Sequence, residues 1–234
     1  MDRNLKLFYQ IYIMATYLLD GTGSVELLGT FGDDLTVVNA ARVSFAKESV
    51  VMDDKDAKLI NYLAKHNHIT PFFHPQVRLR LKMPIYVARE WFRHTVGFAR
   101  NEVSRRYVDT VPEYYMPELR ERDINKKQGS KSSIIGTADF WNACIVKNYE
   151  ETVELYGDLI DNGVAPEVAR GILPQSMYTE FIETASLYAY IRLCKLRLDP
   201  QAQAEIRKYA EAVSNMLIQK FPVSWAAFQA SESG

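Results

Sequence analysis

Apolar residues gather on both sides of Gly21-Thr22-Gly23, and the two runs, Ala15 to Asp20 and Val25 to Phe31, read as the strands of a hairpin closed by that turn. Asp33-Asp34 follows and suits the start of a helix over Leu35 to Val43, because short acidic side chains accept bonds from the free N–H groups of a first turn. Asp53 to Lys65 places Ala57, Leu59, Ile60, Leu63 and Ala64 at helical spacing and ends in the polar run His66-Asn67-His68. Then the period changes to two. Val77, Leu79, Leu81 and Met83 alternate with Arg78, Arg80 and Lys82, the pattern of a strand with one buried and one wet face. Pro84 suits the first position of a helix running to about Thr95, with Ile85, Ala88, Trp91 and Phe92 as its apolar face.

Val111 to Gly136 holds two prolines, the pair Tyr114-Tyr115 and the polar run Asn125 to Ser133, and reads as a long exposed loop. Lys126, Lys127, Gln128 and Ser130 in it suit either a solvated surface or a lid over substrate. Helical patterns follow over Thr137 to Asp161, closed by Gly163, over a short stretch after Pro166, over Gln175 to Leu198 and over Gln201 to Phe221, which ends before Pro222. Strands in front and helices behind, with no alternating strand–helix series, predict a single α+β domain with an antiparallel or mixed sheet and a helical C-terminal half. Leu7 to Leu19 is nearly continuous in apolar residues and superficially resembles a signal peptide, but it falls short of the ~20 residues of a membrane span and is broken by Gln10 and Thr16. Residues 1–13 are therefore expected to be an extension, and 14–234 the folded domain.

Composition narrows the function. With 28 basic and 29 acidic side chains, the net charge of −1 argues against a generally basic nucleic-acid binder. The two cysteines, Cys144 and Cys194, lack the spacing of a disulfide framework, a zinc ribbon or a CxxC redox site, which points to a reducing, cytoplasmic setting. Both fall on predicted amphipathic helices and are expected to be buried and inert. Of the four histidines only His66 and His68 are closely spaced, so no metal site is expected, and no glycine-rich dinucleotide fingerprint occurs.

The chemistry concentrates in Arg89 to Tyr107, REWFRHTVGFARNEVSRRY, where five arginines crowd around His94, Asn101 and Ser104. Forked guanidinium donors with neutral hydroxyl and amide groups suit a nucleotide phosphate. On these residues alone a second reading stays open, in which Arg89, Arg93 and Arg106 pair with Glu90, Glu102 and Asp109 on a solvated face.

Order and spacing separate the two. Arg93 to Tyr107 resembles the signature of the flavin-dependent thymidylate synthases, Arg-His-Arg, a spacer, then Asn-Glu-x-Ser-x-Arg-Tyr. Thr95 stands where the second arginine belongs, and the spacer is one residue longer. Other blocks similar to the family follow in order: NAARVSF (Asn39 to Phe45), LAKHNHITPFFH (Leu63 to His74), MPIYVAREWFRH (Met83 to His94), PEVARGILPQSMYTEF (Pro166 to Phe181) and LRLDPQAQAEIR (Leu196 to Arg207).

The resemblance implies an α+β homotetramer with active sites at subunit interfaces. It implies methylation of dUMP to dTMP with methylenetetrahydrofolate as one-carbon donor and NADPH as reductant through FAD. By position, the dUMP ligands would be Glu90, Arg93, Glu102, Ser104, Arg105, Arg106, Arg170 and Arg197, with Arg197 the catalytic residue that favours the ionised uracil ring. The FAD contacts would be Ser44, His68, Thr70, Arg93, His94, Thr95, Asn101, Glu102, Ser186, Tyr188 and Arg192. Glu90 replaces a common family glutamine, Phe73 stands at a glutamate position, and Ser186, Tyr188 and Arg192 stand where the family commonly has Asn, Arg and Asn. No enzyme nucleophile is required, and neither cysteine sits in the Pro-Cys-His setting of the unrelated classical synthases. The expected partners are small molecules, with neither membrane nor nucleic acid. Two rival functions are a phosphate-binding nucleic-acid module without catalysis and a flavin-dependent NADPH oxidase that has lost methyl transfer.

Overall fold

A computed structural model describes residues 14–108, 110–125 and 129–231. The expected extension over 1–13, and the loop residues Lys126, Lys127 and Gln128, lie outside the described residues, as does Asp109.

The first half follows the hydrophobic pattern. Strands β1 (Met14–Leu18) and β2 (Gly23–Phe31) form the hairpin, and Gly23 is required there because a Cβ would lie 2.2 Å from the Tyr209 hydroxyl. Helices α1 (Asp34–Arg42) and α2 (Asp54–Lys65) each begin with a reciprocal cap, Asp33 with Thr36 and Asp53 with Asp56. Strand β3 (Gln76–Pro84) buries Val77, Leu79, Leu81 and Met83, while Arg80 on its other face pairs with Glu26 at 3.2 Å and Glu180 at 3.6 Å. Helix α3 (Ile85–Trp91) begins after Pro84 and ends four residues before Thr95, where Phe92 to His94 close into a turn. Gly97, at φ +84°, then turns the chain into a short strand, β4 (Phe98–Glu102), inside the signature.

The second half differs from expectation in four places. The stretch Gln175 to Leu198 is not one helix but strand β7 (Tyr178–Ser186) followed by α6 (Leu187–Arg197). Its β-branched Thr179, Ile182 and Thr184 and the inward alternation of Phe181, Glu183 and Ala185 suit a strand, and pairing with β3 and β4 on its two edges outweighs helix propensity. The supposed loop from Val111 contains a hairpin of β5 (Arg120–Arg122) and β6 (Ser130–Ile134), whose second strand is exposed on both faces and so lacks any apolar alternation. Helix α4 (Ala138–Asp161) buries only Tyr156, which leaves Cys144 exposed rather than packed. After α5 (Pro166–Ala169) and α7 (Ala204–Lys220), Pro222 does not end the helical region; it begins α8 (Pro222–Ser231), because the buried Asp34 carboxylate accepts the Val223 and Ser224 N–H groups at 2.8 and 2.9 Å.

The result is an α+β domain with a fully antiparallel five-stranded sheet in the order β1-β2-β3-β7-β4. A strand from the helical half thus enters the interior of the sheet, between β3 and the edge strand β4. Leu79, Leu81 and Phe181 pack with Tyr190 and Leu193 of α6 and Tyr209 and Val213 of α7 in one core, which α2 and α8 extend. Among the described residues no helix is long and apolar enough to cross a membrane.

Candidate active site

The end of α3 meets the end of α6. Arg197, in the last turn of α6, donates from Nε to His94 Nε2 at 2.9 Å, from Nη1 to the Glu90 carboxylate and from Nη2 to the Glu90 carbonyl at 3.3 Å. Burial comes first, and the guanidinium groups of Arg197, Arg100 and Arg192 add to it, in pushing the His94 imidazole down to about 4. His94 is therefore neutral at pH 7. Its Nε2 is free to accept the Arg197 bond, so the proton sits on Nδ1.

Glu90 and Arg197 form one wall of a cavity of about 920 Å³, whose other walls include Arg120, Lys131, Asp199 and Arg207. Arg120 is fixed by the buried Glu205 at 2.6 Å and by Glu118 at 3.0 Å, which ties the β5–β6 hairpin to α7 at the cavity rim.

The remaining signature residues lie elsewhere. Glu102 accepts the Thr179 hydroxyl at 2.6 Å, Ser104 Oγ accepts Arg106 Nε at 3.3 Å, and Arg105 bonds the Thr110 carbonyl. Arg106 lies over the Tyr107 ring at 5.1 Å, and that ring is exposed rather than part of the core. Arg170 is exposed in the 3-10 turn after α5. None of Ser104, Arg105, Arg106 and Arg170 lines the cavity that holds Arg197.

The FAD candidates lie on several elements. Ser44 lies exposed in the turn after α1, where Asn39 clamps the chain at Ser49 through bonds of 2.8 and 2.9 Å. His68 is exposed with its ring 6.0 Å from Tyr62, and Thr70 is exposed just beyond it. Thr95 and Asn101 are exposed at the turn and on β4. Arg93 and Arg192 are exposed and hold no side-chain hydrogen bond or ion pair among the described residues; Glu90 is taken by Arg197 and Glu102 by Thr179, so neither pairs with Arg93 as the solvated-face reading requires. Tyr188 packs on Phe73 at 5.2 Å and on Phe228 at 5.9 Å. Ser186 is buried, and its Oγ caps α6 by accepting the Ala189 N–H at 3.2 Å. That hydroxyl has a structural partner already.

Sequence reasoning passed over Glu183 and gave Arg100 no individual role. Arg100 Nε donates to the fully buried Glu183 at 2.6 Å, and Nη1 donates to the His94 carbonyl at 2.6 Å. The available signal was a glutamate at an inward position of the Phe181-x-Glu183-x-Ala185 alternation.

Together the antiparallel sheet, the fixed arginine beside a neutral histidine, and the exposed Arg93 and Arg192, without side-chain partners among the described residues, define an α+β protein with cationic groups at a cavity wall and on its surface. Comparison narrows this. Residues 26–223 match the family described as thymidylate synthase complementing protein, and the chain belongs to that family. A flavin-dependent thymidylate synthase of Thermus thermophilus is 39% identical over 208 residues, 88% of this chain and 76% of the relative. One of Thermosipho africanus is 37% identical over 216 residues, 91% and 93% of the two chains. The crystal structure of a UMP/dUMP methylase from Streptomyces cacaoi bound with 5-Br dUMP is similar with a TM-score of 0.80 at 30% identity, covering 89% of this chain and 95% of that one.

Proposed function

We propose that this chain methylates dUMP to dTMP, taking the one-carbon unit from methylenetetrahydrofolate and reducing equivalents from NADPH through FAD. The observation that carries the reading is Arg197, a guanidinium fixed at a cavity wall by Glu90 and by a neutral imidazole. Of the five N–H groups of an arginine, those on Nε, Nη1 and Nη2 that meet His94 and Glu90 are engaged, and the rest remain for a ligand. A cation held this way lowers the cost of negative charge on a pyrimidine ring set against it, so the ring carbon to be methylated becomes nucleophilic. Arginine is no base at neutral pH, and its role is electrostatic. No thiolate enters: burial pushes the Cys194 thiol up, and Cys144 lies outside the cavity.

Arg93 and Arg192 suit the pyrophosphate of FAD as exposed cations without a side-chain partner among the described residues, and Ser44, His68, Thr70, His94, Thr95, Asn101, Glu102 and Tyr188 complete the candidate cofactor set. FAD, when bound, supplies the hydride that NADPH provides. Ser104, Arg105, Arg106 and Arg170 are read as the dUMP phosphate ligands; their separation from the Arg197 cavity supports a homotetramer in which one protomer completes the site of another. Exposed Phe140, Trp141, Val146 and Leu155 on α4 supply apolar area for such contacts. The free cysteines suit a cytoplasmic location.

The test starts from the visible spectrum of purified protein loaded with FAD. Flavin bands that shift on dUMP addition, and tritium release from labelled dUMP that depends on methylenetetrahydrofolate, are expected. UMP is run in parallel, because the structural relative is named for both nucleotides. A protein that binds no flavin and does not respond to either nucleotide overturns the reading. NADPH oxidation without tritium release would instead identify an oxidase.

A further inference from the structure

Glu183 takes no part in the chemistry above, yet its side chain has no solvent exposure and lies directly opposite Arg100 across the β4–β7 pairing. One carboxylate oxygen accepts from Trp91 Nε1 and from the Tyr190 hydroxyl, each at 3.1 Å. The other accepts from Arg100 Nε, and the same guanidinium reaches on to the His94 carbonyl. The rings of Phe98 and Phe92, 4.4 and 5.2 Å from the Arg100 guanidinium carbon, hold it in this orientation. Trp91 and His94 bracket the turn that follows α3, so Glu183 grips that turn at both ends, directly at Trp91 and through Arg100 at His94.

We infer that Glu183 is a positioning residue: with Arg100 it locks the Trp91–His94 turn so that the His94 imidazole faces Arg197. Three donors converge on the carboxylate, two of them unable to accept, which suits an ionised group even though burial pushes its pKa upward and Arg100 pulls against that. The inference rests on Arg197 as the pyrimidine-facing cation, but its first test needs no turnover.

The test is Glu183→Gln in the FAD-loaded enzyme, with the His94 imidazole titrated by NMR. Gln keeps the size and an acceptor for Trp91 and Tyr190, but presents an amide donor or a neutral oxygen to Arg100. If the turn stayed in place, removing a nearby negative charge would disfavour protonated His94 further, and its midpoint would stay at or below that of the parent titrated in the same way, which burial and the neighbouring arginines hold low. If Glu183 positions the turn, His94 leaves Arg197 and Arg100, gains solvent, and its midpoint climbs towards the ordinary 6.5. The expected result is the climb, with a fall of roughly tenfold or more in dUMP turnover. An unmoved or lowered midpoint overturns the inference, whatever the parent enzyme turns over. Should Glu183→Gln not fold, Arg100→Lys keeps a counter-ion for Glu183 without the fork that bridges to His94. There too a raised His94 midpoint supports the positioning role and an unchanged one ends it. A parent that binds FAD but transforms no dUMP would sink the proposed reaction and leave the His94 test standing.

Discussion

Under the proposed reaction Arg197 is the residue on which the chemistry depends, and its variants separate the electrostatic route from a nucleophilic one. Arg197→Ala is expected to lose on the order of 10²-fold or more in turnover, the scale of deleting one preorganised charge-stabilising group, while Cys144→Ser and Cys194→Ala keep activity in the same tritium-release assay. An essential cysteine would reverse the mechanism. His94 gives a pH signature in stability. Its folded value near 4 lies below the 6.5 of an unfolded chain, so the unfolded state binds more protons between these values. The stabilisation from keeping His94 neutral is full above about pH 6.5 and is lost as pH falls towards 4. Thermal midpoints measured across that window should drop in the parent and drop less in His94→Gln. Arg197 and His94 were legible because they sit in contiguous blocks similar to a known family. The Glu183–Arg100 pair was not, since it joins residues far apart in sequence whose meeting depends on the register of β7 against β4.

Strand β7 is the element where local pattern and fold part company. Tyr178 to Arg197 carries enough apolar residues for a continuous helix, but its first half alternates and finds two partners in the sheet. The strong alternation of β3 was readable without help, whereas β4, β5 and β6 were short, exposed or both, and left no periodic trace. Because Phe181 is buried on an inner strand of the sheet, Phe181→Ala should cost about 3–5 kcal/mol in urea unfolding. Gly97→Ala tests the turn into β4. With φ at +84° and a new Cβ 3.2 Å from that of Ala189, it should destabilise by about 1–3 kcal/mol, and a neutral result would show that the turn adapts.

At the scale of the whole molecule, the single chain holds Arg197 in one cavity and carries Arg170 and Ser104 outside it. If neighbouring protomers complete each site, inactive Arg197→Ala and Arg170→Ala proteins should regain activity when unfolded together and reassembled. Random mixing leaves roughly a quarter of the sites with both arginines in a symmetric assembly. No recovery, or a monomer in sedimentation, would place the whole site on one chain. The exposed face of α4 left no trace in the hydrophobic pattern, because its apolar positions read as an ordinary core-facing stripe until the fold shows that little in this chain covers them.

The inner position of β7, against the central strand β3, also bears on how the protein is made. On the ribosome β3 emerges with β2 already available on one edge, while the strand for its other edge is still to be translated, from Pro84 on to Tyr178. At ordinary elongation rates that interval lasts on the order of ten seconds. For that time an inner strand is an outer one, open to the strands of other nascent chains. Arg78, Arg80 and Lys82, which face solvent or ion pairs in the finished sheet, are the charges that would guard it, as lysines guard permanent edges. Replacing them with neutral residues should therefore lower soluble yield more than it lowers the stability of the purified enzyme.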